Sequence, residues 1–337
     1  MRFKRSFTTI DTHTCGDPTR TVIGGLPYIP GKTISEKMIH LKEHEDWIRK
    51  VLMYEPRGVE VQSGVILTEP CTPGTDIGVI YIEIGGYLFM CGHDTIGVAT
   101  ALIETGIIKS TEPTTVINLD TPAGVVRVKV SVENGVAKDV TFVNAPAFIF
   151  ARDIDIKIPE FGHVKVDVGY GGNYYAILEA ESIGLKTTPG EAPKIVHVGN
   201  MIRSAVNAQM DIYHPEKPFI KGVTHVLFSA PPVGTEATMA NAVVIPPGVV
   251  CRSPCGTGTC AKLAQLYSQG RLKIGEEFIH QSAMNGTLFK ARVIEETRIG
   301  EFQAVIPEVT GSAYVTGMHT FLIDPDDPLQ EGFRLTR

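Results

Sequence analysis

A mixed α+β fold built from two similar units is predicted by three features of the chain. Short strand-like runs recur along it, with few helical stretches between them. Two of those helical stretches are apolar almost all round, the pattern of a helix buried on every side. Each of the two follows a cysteine in a matching local frame: Met90-Cys91-Gly92-His93-Asp94-Thr95 and Pro254-Cys255-Gly256-Thr257-Gly258-Thr259. In both, glycine follows the cysteine and threonine stands four residues on. Positions 91 and 255 lie about half a chain apart in 337 residues, a length that suits two domains.

The elements follow in order. Residues 37–54 read as a helix, with Trp47, Val51 and Leu52 available for one buried side. Residues 78–84 have strand composition. Residues 95–105 form a second helix, closed by Gly106 as a C-terminal stop. Residues 124–130 and 140–143 are strand-like, and Asn134-Gly135 between them reads as a hairpin turn, because this pair readily takes positive φ. Pro146 and its small neighbours (Asn144, Ala145, Ala147) interrupt the strand pattern and mark a unit boundary. Residues 194–208 are a further helix, and 224–228 and 242–245 further strands. Residues 260–269 form the second apolar helix, stopped by Gly270. Residues 323–328 are a turn-rich tail. The expected units are 1–145 plus 317–337, carrying Cys91, and 146–316, carrying Cys255. In each, strands lie on both sides of a central helix.

Composition excludes several functions. Apolar residues make up 43% and charged residues 20%, with a net charge of −6. This is ordinary globular composition and gives no reason to expect nucleic acid or an anionic membrane as partner. The basic start, Met1 to Ser6, is not followed by the apolar region of a signal peptide, and no apolar run is long enough to span a bilayer. A cytoplasmic location is therefore expected. The six cysteines, 15, 71, 91, 251, 255 and 260, then read as thiols rather than disulfides.

The two cysteine loops carry the chemistry. A thiol at a helix N-terminus faces exposed backbone N–H groups and the positive end of the dipole, which favour the thiolate. The following glycine lets backbone approach a ligand, and the same N–H groups suit a carboxylate. Two such termini would hold an amino acid by its carboxylate with one sulfur on each face of its α-carbon. One thiolate removes the α-proton and the opposite thiol supplies another. No cofactor is needed, because the helix ends stabilise the developing carbanion. A lone cysteine before an apolar run also reads as a small core residue, but the repetition argues against that. Cys251, Cys255 and Cys260 raise zinc, yet their C-x3-C and C-x4-C spacings lack a second cluster, so no metal is expected.

The same residues resemble the proline racemase family, which includes proline racemases, 4-hydroxyproline 2-epimerases and trans-3-hydroxyproline dehydratases. The matching pieces are Asp11-Thr12-His13-Thr14, Glu55-Pro56-Arg57-Gly58, Gly85-Gly86-Tyr87 leading into Met90-Cys91-Gly92-His93, Arg252-Ser253-Pro254-Cys255-Gly256-Thr257, and Thr310-Gly311-Ser312-Ala313-Tyr314. The resemblance implies a diaminopimelate epimerase-like fold, with a barrel-like strand layer around each central helix and the site in the cleft between two units, and a homodimer. It implies that Cys91 and Cys255 are the two acid/bases. The backbone around Gly92, His93, Gly256 and Thr257 would hold the substrate carboxylate, and His93 would face the substrate nitrogen. Dehydratases of the family typically carry threonine at the second cysteine position, so Cys255 argues for racemisation or epimerisation.

Two departures bear on the substrate. Relatives commonly carry an aspartate that contacts the substrate amine where this chain has Cys251. Asp94 could compensate, or serve only as a first-turn acid. Proline racemases resemble Met-Phe-Gly where this chain reads Gln62-Ser63-Gly64, and a second pocket aromatic falls near Pro246-Pro247. Small or polar walls favour 4-hydroxyproline over proline. The expectation is thus a cofactor-independent amino acid racemase or epimerase. A hydroxyproline dehydratase and an amino acid-binding relative that has lost catalysis are the alternatives.

Overall fold

The computed structural model describes residues 5–335; most of the basic start, residues 1–4, lies outside them. The chain divides into one unit of residues up to Phe142 together with those from Gly311 on, and a second unit, Val143–Thr310.

The first unit contains β1 (Arg5–Thr14), β2 (Asp17–Gly24), α1 (Ile34–His44), α2 (Asp46–Met53), β3 (Ser63–Thr68), β4 (Ile77–Glu83), β5 (Gly86–Leu88), α3 (Gly92–Glu104), β6 (Thr114–Thr121), β7 (Gly124–Glu133) and β8 (Val136–Val143). Its ladder runs antiparallel β1–β2, parallel β2–β3, antiparallel β3–β4, parallel β4–β6 and antiparallel β6–β7. The second unit contains β9 (Ala147–Ile158), β10 (Gly162–Tyr170), β11 (Tyr174–Glu179), α4 (Ala192–Gln209), β12 (His225–Ala230), β13 (Met239–Ile245), β14 (Val249–Val250), α5 (Gly256–Ser268), β15 (Phe278–Ser282), β16 (Leu288–Ile299) and β17 (Phe302–Gly311). Its ladder repeats the same order of senses: antiparallel β10–β11, parallel β11–β12, antiparallel β12–β13, parallel β13–β15, antiparallel β15–β16. β17 then pairs with both β16 and β9, and β9 with β10, so the strands close on themselves.

The last strand, β18 (Ala313–Ile323), pairs antiparallel with β1 from Thr14↔Ala313 to Arg5↔Ile323. This pairing returns the chain to the first unit at Gly311, before the expected 317. Each unit encloses one helix. In α3 every residue from Gly92 to Ile103 is buried, and in α5 every residue from Gly256 to Leu266. The all-round apolar pattern of both helices has this cause, since no side faces water.

Two local expectations met different outcomes. Asn134 and Gly135 take φ of 53° and 75°, the two positive values that a type I′ hairpin turn demands. Residues 37–54 do not form one helix: the chain breaks at Glu45 (φ −133°, ψ 24°), between α1 and α2. Leu41 of α1 and Ile48 of α2, both buried, lie about two helical turns apart in sequence. The apolar stripe therefore keeps helical phase across the break and hides it. No helix among the described residues is long and apolar enough to cross a membrane.

Candidate functional site

Both cysteines are the N-cap residues of the two buried helices. The helices begin at Gly92 and Gly256, three and four residues before the starts that apolar periodicity predicts, so each thiol sits directly on a helix end. Thr95 N–H donates to Cys91 O at 3.0 Å, and Thr259 N–H to Cys255 O at 2.8 Å. The shared threonine four residues on thus closes the first turn in each.

In the first unit, Cys91 has ordinary extended backbone (φ −139°, ψ 119°). Its Sγ lies 3.4 Å from His93 Nδ1. His93 Nε2 lies 2.7 Å from Ser63 Oγ and 3.3 Å from Asp94 Oδ1, and Nδ1 lies 4.0 Å from Asp17 Oδ2. Asp94 is fully buried and accepts from Thr19 Oγ1 at 2.7 Å and Ser63 Oγ at 2.8 Å. Burial raises its carboxyl above the usual range, opposed by the charge of His93 and by the Thr19 and Ser63 hydroxyls. Asp94 is therefore a first-turn acid of α3, as one of the two expectations had it, and it is an interior group bonded to its neighbours. Ser63 Oγ also lies 3.1 Å from Pro18 O.

In the second unit, Cys255 takes φ 62° and ψ 102°, a left-handed conformation that costs a side-chain-bearing residue of order 1–3 kcal/mol. The preceding carbonyl is tied down: Asn241 Nδ2 donates to Pro254 O at 2.6 Å and Thr259 Oγ1 at 3.3 Å. His280 Nδ1 lies 2.9 Å from Thr259 Oγ1 and, when it carries the ring proton, donates to that hydroxyl while Thr259 donates to Pro254 O. Burial, with the Lys262 charge adding, pushes His280 down to about 3, so it stays neutral near pH 7. Cys255 Sγ lies 3.3 Å from Tyr175 Oη, which lies 2.5 Å from Thr257 Oγ1. Cys251 is buried, with Sγ 3.6 Å from Ser253 Oγ.

Sequence reasoning missed Thr19, Tyr175, Asn241 and His280, which reach the thiol loops from strands. Cys91, His93 and Asp94 each place one ligand-type atom within 4.8 Å of the others. Asp94 Oδ1 already serves two hydroxyls and His93 Nε2 faces Ser63. These contacts form a hydrogen-bonded network, apart from Asp94 Oδ2, which is buried without a hydrogen-bond partner.

An α+β protein of two like-built units, each with a thiol heading its central helix, is the class this fold defines. The proline racemase family model matches residues 9–334, and the chain belongs to that family. A proline racemase of Clostridioides difficile is 45% identical over 99% of this chain and 100% of its own length. A 4-hydroxyproline 2-epimerase of Streptosporangium roseum is 47% identical, again over 99% and 100%. The crystal structure of a hydroxyproline epimerase from Agrobacterium vitis with bound trans-4-OH-L-proline is 33% identical, with a TM-score of 0.94 and coverage of 100% and 96%. The relatives so named are racemases and epimerases, which places the chain among isomerases.

Proposed function

We propose that this chain inverts the α-carbon of a proline-type amino acid by a two-thiol mechanism without a cofactor, with 4-hydroxyproline favoured over proline. The observation that carries this reading is the equivalence of Cys91 and Cys255: each is the N-cap of the buried helix in one of two units with the same ladder order.

In this mechanism one cysteine, as thiolate, takes the α-proton from one face and becomes a thiol. The other, as thiol, gives its proton to the opposite face and becomes a thiolate. The reverse reaction exchanges the roles. First-turn N–H groups at Gly92 and His93, and at Gly256 and Thr257, hold the substrate carboxylate and the charge that develops beside it. His93 faces the substrate nitrogen, and Asp94 acts through His93 as a positioning residue. Cys251 stands near the amine, where relatives commonly carry a carboxylate. Ser63 favours the hydroxylated substrate by leaving space, since its own hydroxyl is occupied by His93 and Asp94. A homodimer in the cytoplasm is the expected setting.

The test is incubation with L-proline, trans-4-hydroxy-L-proline and trans-3-hydroxy-L-proline in deuterated water, followed by proton NMR. The reading expects loss of the α-proton signal and a new epimer from trans-4-hydroxy-L-proline. A ketone-forming product from trans-3-hydroxy-L-proline would instead select a dehydratase, and binding without α-exchange a binding protein. Cys91→Ser and Cys255→Ser should each lower turnover by about 10²–10⁴-fold, the usual worth of a positioned acid/base. Near-normal turnover in either variant would sink the two-thiol claim.

A further inference from the structure

We propose that Tyr175 is a catalytic residue for Cys255: its phenolic O–H donates to Cys255 Sγ and stabilises the thiolate, at the end of a hydrogen-bond chain that starts at Asn173 and passes through Thr257. This rests on Cys255 being one of the two proton carriers.

The direction of the chain follows from its members. Asn173 Nδ2 can only donate, and it lies 3.4 Å from Thr257 Oγ1. A hydroxyl has one proton. Thr257 accepts from Asn173 and, in the direction proposed, gives its own proton to Tyr175 Oη at 2.5 Å, in keeping with the lowering that Thr257 exerts on the phenol against burial. The phenol proton is then left for Cys255 Sγ at 3.3 Å. A buried chain of this kind strengthens its last bond by polarisation, and a bond to a charged acceptor is stronger than one to a neutral acceptor.

The surroundings are shaped for this contact. Tyr175 is fully buried on β11, directly opposite His225 of β12 in the parallel ladder, and the two rings lie 4.9 Å apart. Gly258 clears the space on the helix side: a Cβ there would stand 3.0 Å from Cys255 Sγ and 3.2 Å from Tyr175 Cε1. The phenol also keeps its proton. Burial, and next the charge of Cys255, push Tyr175 well above the ordinary tyrosine value. The other titratable groups facing the pair are Cys251, His225 and Cys260. His225 is pushed down to about 3 by burial and by Arg203, and burial pushes the Cys260 thiol far up. Neither His225 nor Cys260 changes charge near neutrality, and Tyr175 is the donor placed on the Cys255 sulfur from the strand side.

The experiment measures iodoacetamide alkylation of the full chain against pH, read by mass spectrometry. In the tryptic peptide 253–262, fragment ions separate Cys255 from Cys260. Tyr175→Phe keeps the ring and removes the donor. It should move the Cys255 profile to higher pH by about one unit, roughly tenfold in rate below the plateau, and leave the Cys91 profile in place. It should also lower kcat more than it raises KM. An unchanged Cys255 profile in folded Tyr175→Phe overturns the proposal. Should that variant not fold, Thr257→Val replaces it: a smaller shift in the same direction, restored by Thr257→Ser, supports the chain, and no shift overturns it. Full turnover by Cys255→Ser would defeat the two-thiol reading independently, because the alkylation profile reads the donor itself.

Discussion

Around Cys91 the helix supplies the large polar groups, His93 and Asp94, while the strands supply small hydroxyls, Thr19 and Ser63. Around Cys255 the distribution is inverted: the helix supplies Thr257 and Gly258, and the strands supply Tyr175 and His225. The positions correspond, because Thr19↔Ser63 is the first pair of the parallel β2–β3 ladder and Tyr175↔His225 the first pair of the parallel β11–β12 ladder. Each unit fills the same space below its thiol from the opposite side, as close packing requires. The chemical result differs. Cys91 faces an imidazole, which can donate or accept, and Cys255 faces a phenol that keeps its proton. The backbone differs too. Cys91 is an ordinary extended cap, whereas Cys255 is held at positive φ by the tied carbonyl of Pro254.

That difference in backbone gives the largest effect among the supporting residues. Asn241→Ala removes the shorter of the two bonds on Pro254 O and leaves only the 3.3 Å contact from Thr259. Stability should fall by about 1–3 kcal/mol, the cost of a buried carbonyl that loses its donor. Turnover should fall by roughly 10- to 100-fold, since a small displacement of a reacting group is costly. Steady-state kinetics with chemical denaturation checks both; unchanged kcat would show that Cys255 holds its conformation without the clamp.

A smaller effect separates stability from activity at the first loop. Asp94 has a raised carboxyl value in the fold, so its contribution to stability is fully present below the unfolded value near 3.8 and is lost as pH rises through the folded value. Burial disfavours the ionised form of this carboxyl, which is a cost wherever it is charged. Asp94→Asn keeps an oxygen for Thr19 and Ser63 and removes that cost. Melting temperature at pH 7 should rise, while turnover drops about tenfold as His93 loses its carboxylate neighbour. A variant that is both less stable and fully active would contradict this account of Asp94.

The legible and illegible parts of the molecule divide along the same lines. Cys91 and Cys255, the glycines after them, the central helices and the Asn134-Gly135 turn are local features, readable from adjacent residues. The supports of the thiols are not: Thr19 and Asp94 are 75 residues apart, Tyr175 and Cys255 80. A tyrosine on an apolar strand looks like core, and only the ladder shows that its hydroxyl ends at a sulfur. The similar separations reflect the repeated topology. Matching the two cysteine loops, and then counting back to the strand ahead of each, was the one signal in the sequence that could have found Tyr175.

The two loops should also answer acid in opposite directions, and this is the smallest effect. His280 and His225 both lie near 3 in the fold, lowered by burial first and then by Lys262 and Arg203 respectively. A lowered histidine contributes stability that is present above its unfolded value near 6.5 and is lost as pH falls toward the folded value. Between pH 7 and 5.5 the loss is roughly 1 kcal/mol for each histidine, at about 1.4 kcal/mol per unit. Asp94 works the other way, because protonation relieves its burial. Hydrogen–deuterium exchange, corrected for the intrinsic pH dependence of the rate, should therefore show protection of α5 falling over this range while α3 holds or gains. His280→Gln, which cannot take up a proton, should flatten the response of α5 and leave α3 alone. Equal loss of protection in both helices would mean that the buried histidines and Asp94 do not set the acid response of their own units, and that acid acts on the fold as a whole.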